Sequence, residues 1–401
     1  MSVQSYPYVI VGAGVSGASA VEGIRQVDQR GSILLIGAEE DLPYDRPPLS
    51  KQLWTGGKTV ADIVLHDEAF YKTNAVDLRL GTDVTQLDPA AHAIRDGRGN
   101  AYQYGRLLLA TGGTPRRLGI PGGDLEGVSY YRSLRDYRQL RGAAAAEGKS
   151  ALVIGGGFIG SEMAASLRAS GLAVTMIFPS PWLVSRVFPE PLGRHLTEQY
   201  RGKGVEVLAG DLPLSIERNG GGYLTRTRAG REVRTDLVVV GIGITPNVAL
   251  ARTAGLSIGD GVIVNESLQT SEPDIYACGD IALFPEAGFG PRRLEHWDNA
   301  VSQGKHAGRN MAGAHEPFTY LPFFFSDLFE FGYEAVGDID SRLTTFADWQ
   351  EENRTGVIYY LDGSRLRGAM MCNVWGKVDE ARALIRNAQP VTADSLRGAV
   401  R

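Results

Sequence analysis

The chain is poor in sulfur. Of its 401 residues only two are cysteine, Cys278 and Cys372, far apart in sequence. That excludes a disulfide framework, a Cys-x-x-Cys or Cys-x4-Cys redox pair, and a zinc or iron–sulfur site built from four thiolates. An excess of charge of one sign is lacking too, since 41 Lys and Arg against 46 Asp and Glu leave a net charge of −5. With no basic stripe interleaved with aromatics, neither nucleic acid nor an anionic membrane is an expected partner. No stretch approaches the roughly eighteen uncharged apolar residues that a membrane span requires. An apolar run begins within ten residues of Met1 and leaves no room for a signal or transit peptide, so a cytoplasmic location is expected. His66, His92, His195, His296, His306 and His315 show no metal-ligand spacing, and no metal site is expected.

Glycine, by contrast, is plentiful at 51 residues, and in two places its spacing carries chemistry. Gly12-Ala-Gly14-Val-Ser-Gly17 follows the apolar run Tyr8–Val11, and Gly155-Gly-Gly157-Phe-Ile-Gly160 follows Ala151–Ile154. Each run reads as a buried parallel strand, and each motif opens a stretch of small and apolar residues that reads as a helix. The first glycine permits a tight turn, the second admits a pyrophosphate to the backbone, and the third lets helix and strand pack closely. The free N–H groups and positive dipole end of the helix then meet the phosphates. Two such motifs imply two dinucleotides, and hence electron transfer between them.

The remaining segments fit around these. Ser32–Gly37 reads as the second strand of the first unit, and Glu39 follows it at the distance where a carboxylate can hold an adenosine ribose. Residues 42–51 contain three prolines and read as an irregular rigid loop. Leu107–Leu109 reads as a buried strand ending in a glycine turn, Ala173–Phe178 as a strand of the second unit, and 205–240 as hairpin-rich. Ile275–Ala277 reads as a strand returning to the first unit. From about Pro322 the composition becomes aromatic and β-prone, ending in a helix at 376–387.

These motifs together resemble the pyridine nucleotide–disulfide reductase-like flavoproteins, in their ferredoxin-reductase and apoptosis-inducing-factor branch. Besides the two fingerprints, the matching stretches are Pro43–Lys51, Leu109–Gly112, Gly241–Asn247, Ala277–Asp280 and Glu295–Trp297. The resemblance implies an α/β fold with two Rossmann-like dinucleotide-binding domains and a C-terminal α+β domain. FAD would occupy 1–113 with 244–320, NAD(P)H would occupy 114–243, and 321–401 would form the third domain. By the same resemblance Gly12, Gly14 and Gly17 bind the FAD pyrophosphate, Glu39 its ribose, and Asp280 its ribityl chain. Arg46 and Lys51 approach the flavin mononucleotide half, with Lys51 near the reactive N5 edge, and Trp297 lies beside the ring or serves as a core aromatic. Thr111, Gly112, Gly279, Glu295 and His296 belong to the flavin-binding stretches. Gly155, Gly157 and Gly160 hold the nicotinamide dinucleotide, Gly243 belongs to a cofactor-binding stretch, and Glu162 meets the nicotinamide end and pairs with Lys51; Lys51 and Glu162 are the catalytic candidates.

Departures from the family pattern narrow the function. Pro47, Pro48, Leu49 and Ser50 stand where disulfide reductases keep reactive cysteines, so no thiol relays electrons. Electrons must leave the flavin directly, which suits a small [2Fe-2S] ferredoxin or a similar one-electron acceptor. Phe178 stands where an acid commonly selects NADH; with no adjacent arginine either, the choice tilts only slightly to NADH. Phe325 replaces a family tryptophan, and Gly332–Gly337 is closer to the apoptosis-inducing-factor type. The expected activity is therefore an NAD(P)H-dependent ferredoxin reductase. The alternative is an apoptosis-inducing-factor-like flavoprotein, slow with NAD(P)H and holding a long-lived charge-transfer complex. A homodimer is compatible with either.

Overall fold

The computed structural model describes residues 4–400. They divide into two compact units, one of residues 4–45, 60–114 and 245–322, the other of 46–59, 115–244 and 323–400.

In the first unit the strands Val76–Arg79, Ile33–Ile36, Gln4–Val11, Ala101–Leu109 and Ile275–Ala277 lie side by side in that order, all parallel. Register is set by apolar residues such as Ile10 opposite both Leu35 and Leu108. Ile33–Ile36, Ile275–Ala277 and the stretches Tyr8–Val11 and Leu107–Leu109 are continuous buried apolar runs, as expected where both faces of a sheet are covered. The strand expected at 107–109 begins earlier, at Ala101, because its first half is polar and carries an antiparallel hairpin formed by Val84–Asp88 and Ala93–Asp96. On one face the helices Val15–Val27 and Trp297–Met311 approach until their backbones nearly touch. A Cβ on Gly304 would stand 2.4 Å from the Ser16 carbonyl, and one on Gly308 2.2 Å from that of Ala20. Glycine here is a packing requirement and not a matter of flexibility.

The second unit repeats the design. Strands Val205–Ala209, Ala173–Phe178, Ser150–Ile154, Leu237–Val240 and Val128–Tyr130 form a parallel sheet in that order. The hairpin-rich segment therefore has parallel ends, Val205–Ala209 and Leu237–Val240. Only Pro213–Thr235 between them forms an antiparallel meander. Residues 323–372 build a five-stranded antiparallel sheet, and the helix Val378–Arg386 packs on it through Val378, Ala381 and Ile385.

The proline-rich segment is more regular than its composition suggested. Pro47–Ser50 is a 3-10 turn and Gln52–Thr55 a short helical turn. Proline at the first positions of a helical turn needs no N–H partner and arrives with the right φ, so consecutive prolines start the turn instead of preventing it. The segment is pinned within the second unit. Arg46 donates to the Arg132 carbonyl at 2.9 Å, Tyr131 to that of Leu49, Ser166 to that of Ser50 at 2.6 Å, and Tyr137 to that of Leu53 at 3.1 Å.

Candidate functional site

The two fingerprints have the same geometry, glycine by glycine. Gly12 has φ +117, and a Cβ there would lie 2.1 Å from the Ala110 carbonyl; Gly155 has φ +125, with Gly241 O at 2.2 Å. Gly14 and Gly157 would meet nothing within 4 Å, which leaves open space in front of the turn. Gly17 would put a Cβ 2.0 Å from Gly12 O, and Gly160 one 2.1 Å from Gly155 O, so each third glycine locks helix to turn. Gly14 and Gly157 are the N-caps of the helices Val15–Val27 and Phe158–Ala169, and neither offers a side chain to the helical N–H groups. The result is a donor-lined helix end with a partial positive charge facing a clear space, which suits a pyrophosphate.

In the first unit the other candidate residues gather at the carboxyl edge of the same sheet, where ligands of open α/β sheets bind. Glu39 follows Ile33–Ile36 and accepts a 2.6 Å hydrogen bond from Tyr44. Thr111 and Gly112 follow Ala101–Leu109 and are braced by Asn247. The Thr111 hydroxyl donates to Asn247 O at 2.8 Å, and the Asn247 side chain returns a bond to Thr111 O at 2.9 Å. Gly279 and Asp280 follow Ile275–Ala277. Gly279 has φ +70, and its N–H donates at 2.9 Å to the fully buried Gln303. The Asp280 carbonyl accepts from Arg293, which also pairs with Glu295 at 2.7 Å. Asn247, Gln303 and Arg293 were not among the residues singled out from sequence. A buried glutamine among Ala300, Gly304 and Ala307 on a helix was the available signal for Gln303.

His296 caps the helix Trp297–Met311. Its edge keeps some exposure, yet burial, followed by the Arg292 charge, pushes the imidazole down to about 4. Trp297 is half-buried, and its indole N–H donates to Asp45 Oδ1 at 2.6 Å, which fixes the ring.

In the second unit Lys51 and Glu162 meet: Lys51 Nζ lies 3.1 Å from Glu162 Oε1, with Asp327 at 3.9 Å and the Phe325 ring centroid at 4.6 Å. Glu162 also accepts the hydroxyls of Ser50 and Ser326, each at 2.5 Å. Arg46 belongs to this unit as well. Gly243 has φ +93 and follows Leu237–Val240, its carbonyl accepting from the Arg116 N–H at 3.0 Å. Phe178, 1 % exposed, lays its ring over Gly156, where a Cβ would stand 2.5 Å away. Val184, a β-branched residue held at φ +50, ties the following loop to the Gly156 carbonyl at 2.7 Å. Cys278 and Cys372 are free and buried, and burial holds the Cys278 thiol up near 12. Among the described residues no cluster of His, Cys, Asp and Glu could hold a metal, and no helix is long and apolar enough to cross a membrane.

Residues 6–304 match the profile of the family described as "Pyridine nucleotide-disulphide oxidoreductase". The chain belongs to this family. Residues 307–355 match the C-terminal region of mitochondrion-associated apoptosis-inducing factor. The chain is 35% identical to the ferredoxin–NAD(+) reductase component of the anthranilate 1,2-dioxygenase system of Burkholderia cepacia, over 94% of each chain. It is 34% identical to mitochondrial apoptosis-inducing factor 1 of Dictyostelium discoideum, over 96% of this chain and 79% of that one. In fold it is similar to putidaredoxin reductase as seen in its covalent complex with putidaredoxin, with a TM-score of 0.90 and 29% identity over 98% and 95% of the chains. Both fingerprints lie inside the family match, and the chain is an α/β oxidoreductase without a redox disulfide.

Proposed function

We propose that the protein is an NAD(P)H-dependent flavoprotein reductase that passes electrons to a small iron–sulfur protein of the [2Fe-2S] ferredoxin type in the cytoplasm. The observation that carries this is the pair of geometrically matched glycine cradles in a chain whose thiols are both buried. FAD, when bound, supplies the chemistry that converts the electron pair of one hydride from NAD(P)H into two single electrons. In this reading residues 1–113 with 244–320 hold FAD, 114–243 hold NAD(P)H, and 321–401 form the third domain.

The chain's own residues bind, orient and charge the site. Gly14 and Gly157 leave room for phosphates at the two helix ends, Glu39 accepts ribose hydroxyls, and Asp280 takes the ribityl side. Trp297, held by Asp45, offers a fixed aromatic face. Lys51 brings a positive charge to the reducible edge, with Glu162 holding it in place, and Arg46 stays close by. Direct transfer also requires that water be kept out. Lys51 and Glu162 are 7% and 6% exposed in their side chains, which supports that requirement. Nothing acidic ends the Ala173–Phe178 strand to repel a 2′-phosphate, so NADH is favoured only slightly over NADPH.

The ferredoxin-linked relative from Burkholderia cepacia and the putidaredoxin complex favour an iron–sulfur partner. The C-terminal match at 307–355 favours a second reading, an apoptosis-inducing-factor-like protein that reacts slowly with NAD(P)H. Rapid mixing of the yellow protein with NADH and NADPH separates them. Fast loss of flavin absorbance, with cytochrome c reduced only when ferredoxin is added, is the expected result. Slow loss with a persistent long-wavelength band, indifferent to ferredoxin, would favour the second. A protein that binds no flavin would end both.

A further inference from the structure

The Lys51–Glu162 pair is held by two further side chains. We propose that Ser50 and Ser326 are positioning residues, whose hydroxyls fix the Glu162 carboxylate so that it in turn fixes the Lys51 ammonium. This rests on the functional reading above and names what aligns its charged pair.

The geometry is that of a carboxylate gripped from two directions. Ser50 Oγ donates to Oε2 and Ser326 Oγ to Oε1, each at 2.5 Å, while Lys51 shares Oε1 at 3.1 Å. The three donors come from two stretches of the second unit, Ser50 and Lys51 from the end of the proline turn and Ser326 from the edge strand Phe323–Leu328, which converge on the helix Phe158–Ala169. All are nearly dry, with Ser50 2%, Ser326 1% and Glu162 5% exposed. One helical turn beyond Glu162, Ser166 donates to the Ser50 carbonyl at 2.6 Å, so the turn carrying Ser50 and Lys51 is docked on the same helix face.

Such a grip has a specific consequence. The terminal torsion of a glutamate is broad, so hydrogen bonds and not covalent preference decide where its oxygens point. Lys51 has a competing anion in Asp327, 3.9 Å away and 45% exposed. With the Ser326 hydroxyl gone, Ser50 alone holds the carboxylate through Oε2, Oε1 can turn away, and the ammonium can drift toward Asp327 and the solvent. Substituting Ser326 therefore acts through Glu162, and the effect must vanish when Glu162 can no longer act as an anion.

The test is a double-mutant cycle on the flavin-containing protein. Ser326→Ala is expected to lower the limiting rate of flavin bleaching by roughly tenfold, the low end for one charge-assisted hydrogen bond. Half-saturation by the nucleotide should stay unchanged. Ser326→Thr should restore the rate, and in a Glu162→Gln background Ser326→Ala should add nothing. Independently of turnover, reductive methylation of Lys51, followed by mass spectrometry on the as-purified protein, should be faster in Ser326→Ala. Ser50→Ala should behave alike and carries the comparison if Ser326→Ala does not fold. Equal losses in both backgrounds, failure of threonine to rescue, or unchanged Lys51 methylation would overturn the proposal. If neither nucleotide bleaches the unmodified protein the functional reading falls, while the methylation comparison still decides this one.

Discussion

Lys51 Nζ lies 3.1 Å from Glu162 Oε1, and both side chains are almost sealed from water. Removing one partner leaves the other charged and buried, although Ser50 and Ser326 still hydrogen-bond the carboxylate. Lys51→Met is therefore expected to cost about 3 kcal/mol of stability in urea unfolding, the lower end for a broken buried pair. FAD should remain bound while its reduction by NAD(P)H slows at least ~10-fold. Unchanged reduction kinetics would remove Lys51 from the reaction.

The glycine cradles separate packing from ligand space. Alanine at Gly17 collides with the Gly12 carbonyl and should destabilise the protein by ~1–3 kcal/mol or more. Alanine at Gly14 meets nothing and suits an extended N-cap with φ −96, so the flavin-free protein should melt as the unmodified one does. Its FAD affinity should nevertheless fall. Gly157→Ala should likewise raise the half-saturating NAD(P)H concentration while leaving the flavin in place. A Gly14→Ala protein that binds FAD normally would move the pyrophosphate elsewhere.

Phe178 is the side chain to change for nucleotide choice. Phe178→Glu should shift the ratio of kcat/KM toward NADH over NADPH by ~10-fold, because a carboxylate at this strand end bonds a 2′-hydroxyl and repels a 2′-phosphate. Some stability will be lost, since the ring now covers Gly156. An unaltered ratio in a folded variant would show that the adenosine ribose is read by other residues.

His296, held near 4, and His306, also lowered chiefly by burial, give a pH dependence of known sign. Their folded pKa values lie below the unfolded one near 6.5. As pH falls through 6.5 the unfolded chain gains protons first, so stability declines from there toward pH 4. His296→Gln should flatten that part of the curve in thermal unfolding measured between pH 7 and pH 4. A slope identical to that of the unmodified protein would contradict the burial argument.

Sulfur should be dispensable. A Cys278→Ala, Cys372→Ala variant is expected to keep NAD(P)H-driven ferredoxin reduction within about twofold, because both thiols are buried and neither is poised to react. A loss of electron transfer with flavin reduction intact would reinstate a thiol relay.

Much of this was legible in the sequence, for physical reasons that differ from residue to residue. Gly12 and Gly17 could be read because each meets a steric demand that only glycine satisfies, as do Gly155 and Gly160, whereas Gly14 and Gly157 are marked by the open space they leave in front of the turn. Strands such as Ile33–Ile36 and Leu237–Val240 were legible because sheets buried on both faces leave unbroken apolar runs. The Lys51–Glu162 meeting came from the family resemblance, since two residues 111 positions apart carry no local signal of contact. The 3-10 turn at Pro47–Ser50 was missed because proline was read as a breaker, whereas at the start of a turn it is a former. Ser326, Gln303 and Asn247 were missed because hydroxyls and amides on apolar elements declare a partner only after the chain has folded.

The chain passes between its two units five times, at 45/46, 59/60, 114/115, 244/245 and 322/323. Neither unit is a continuous stretch of sequence. During synthesis the first sheet cannot be completed until the Ile275–Ala277 strand has left the ribosome, nor the second unit until the final helices emerge. The nascent polypeptide must therefore hold apolar strands in waiting for most of its translation, and shortening it from either end would remove part of a core.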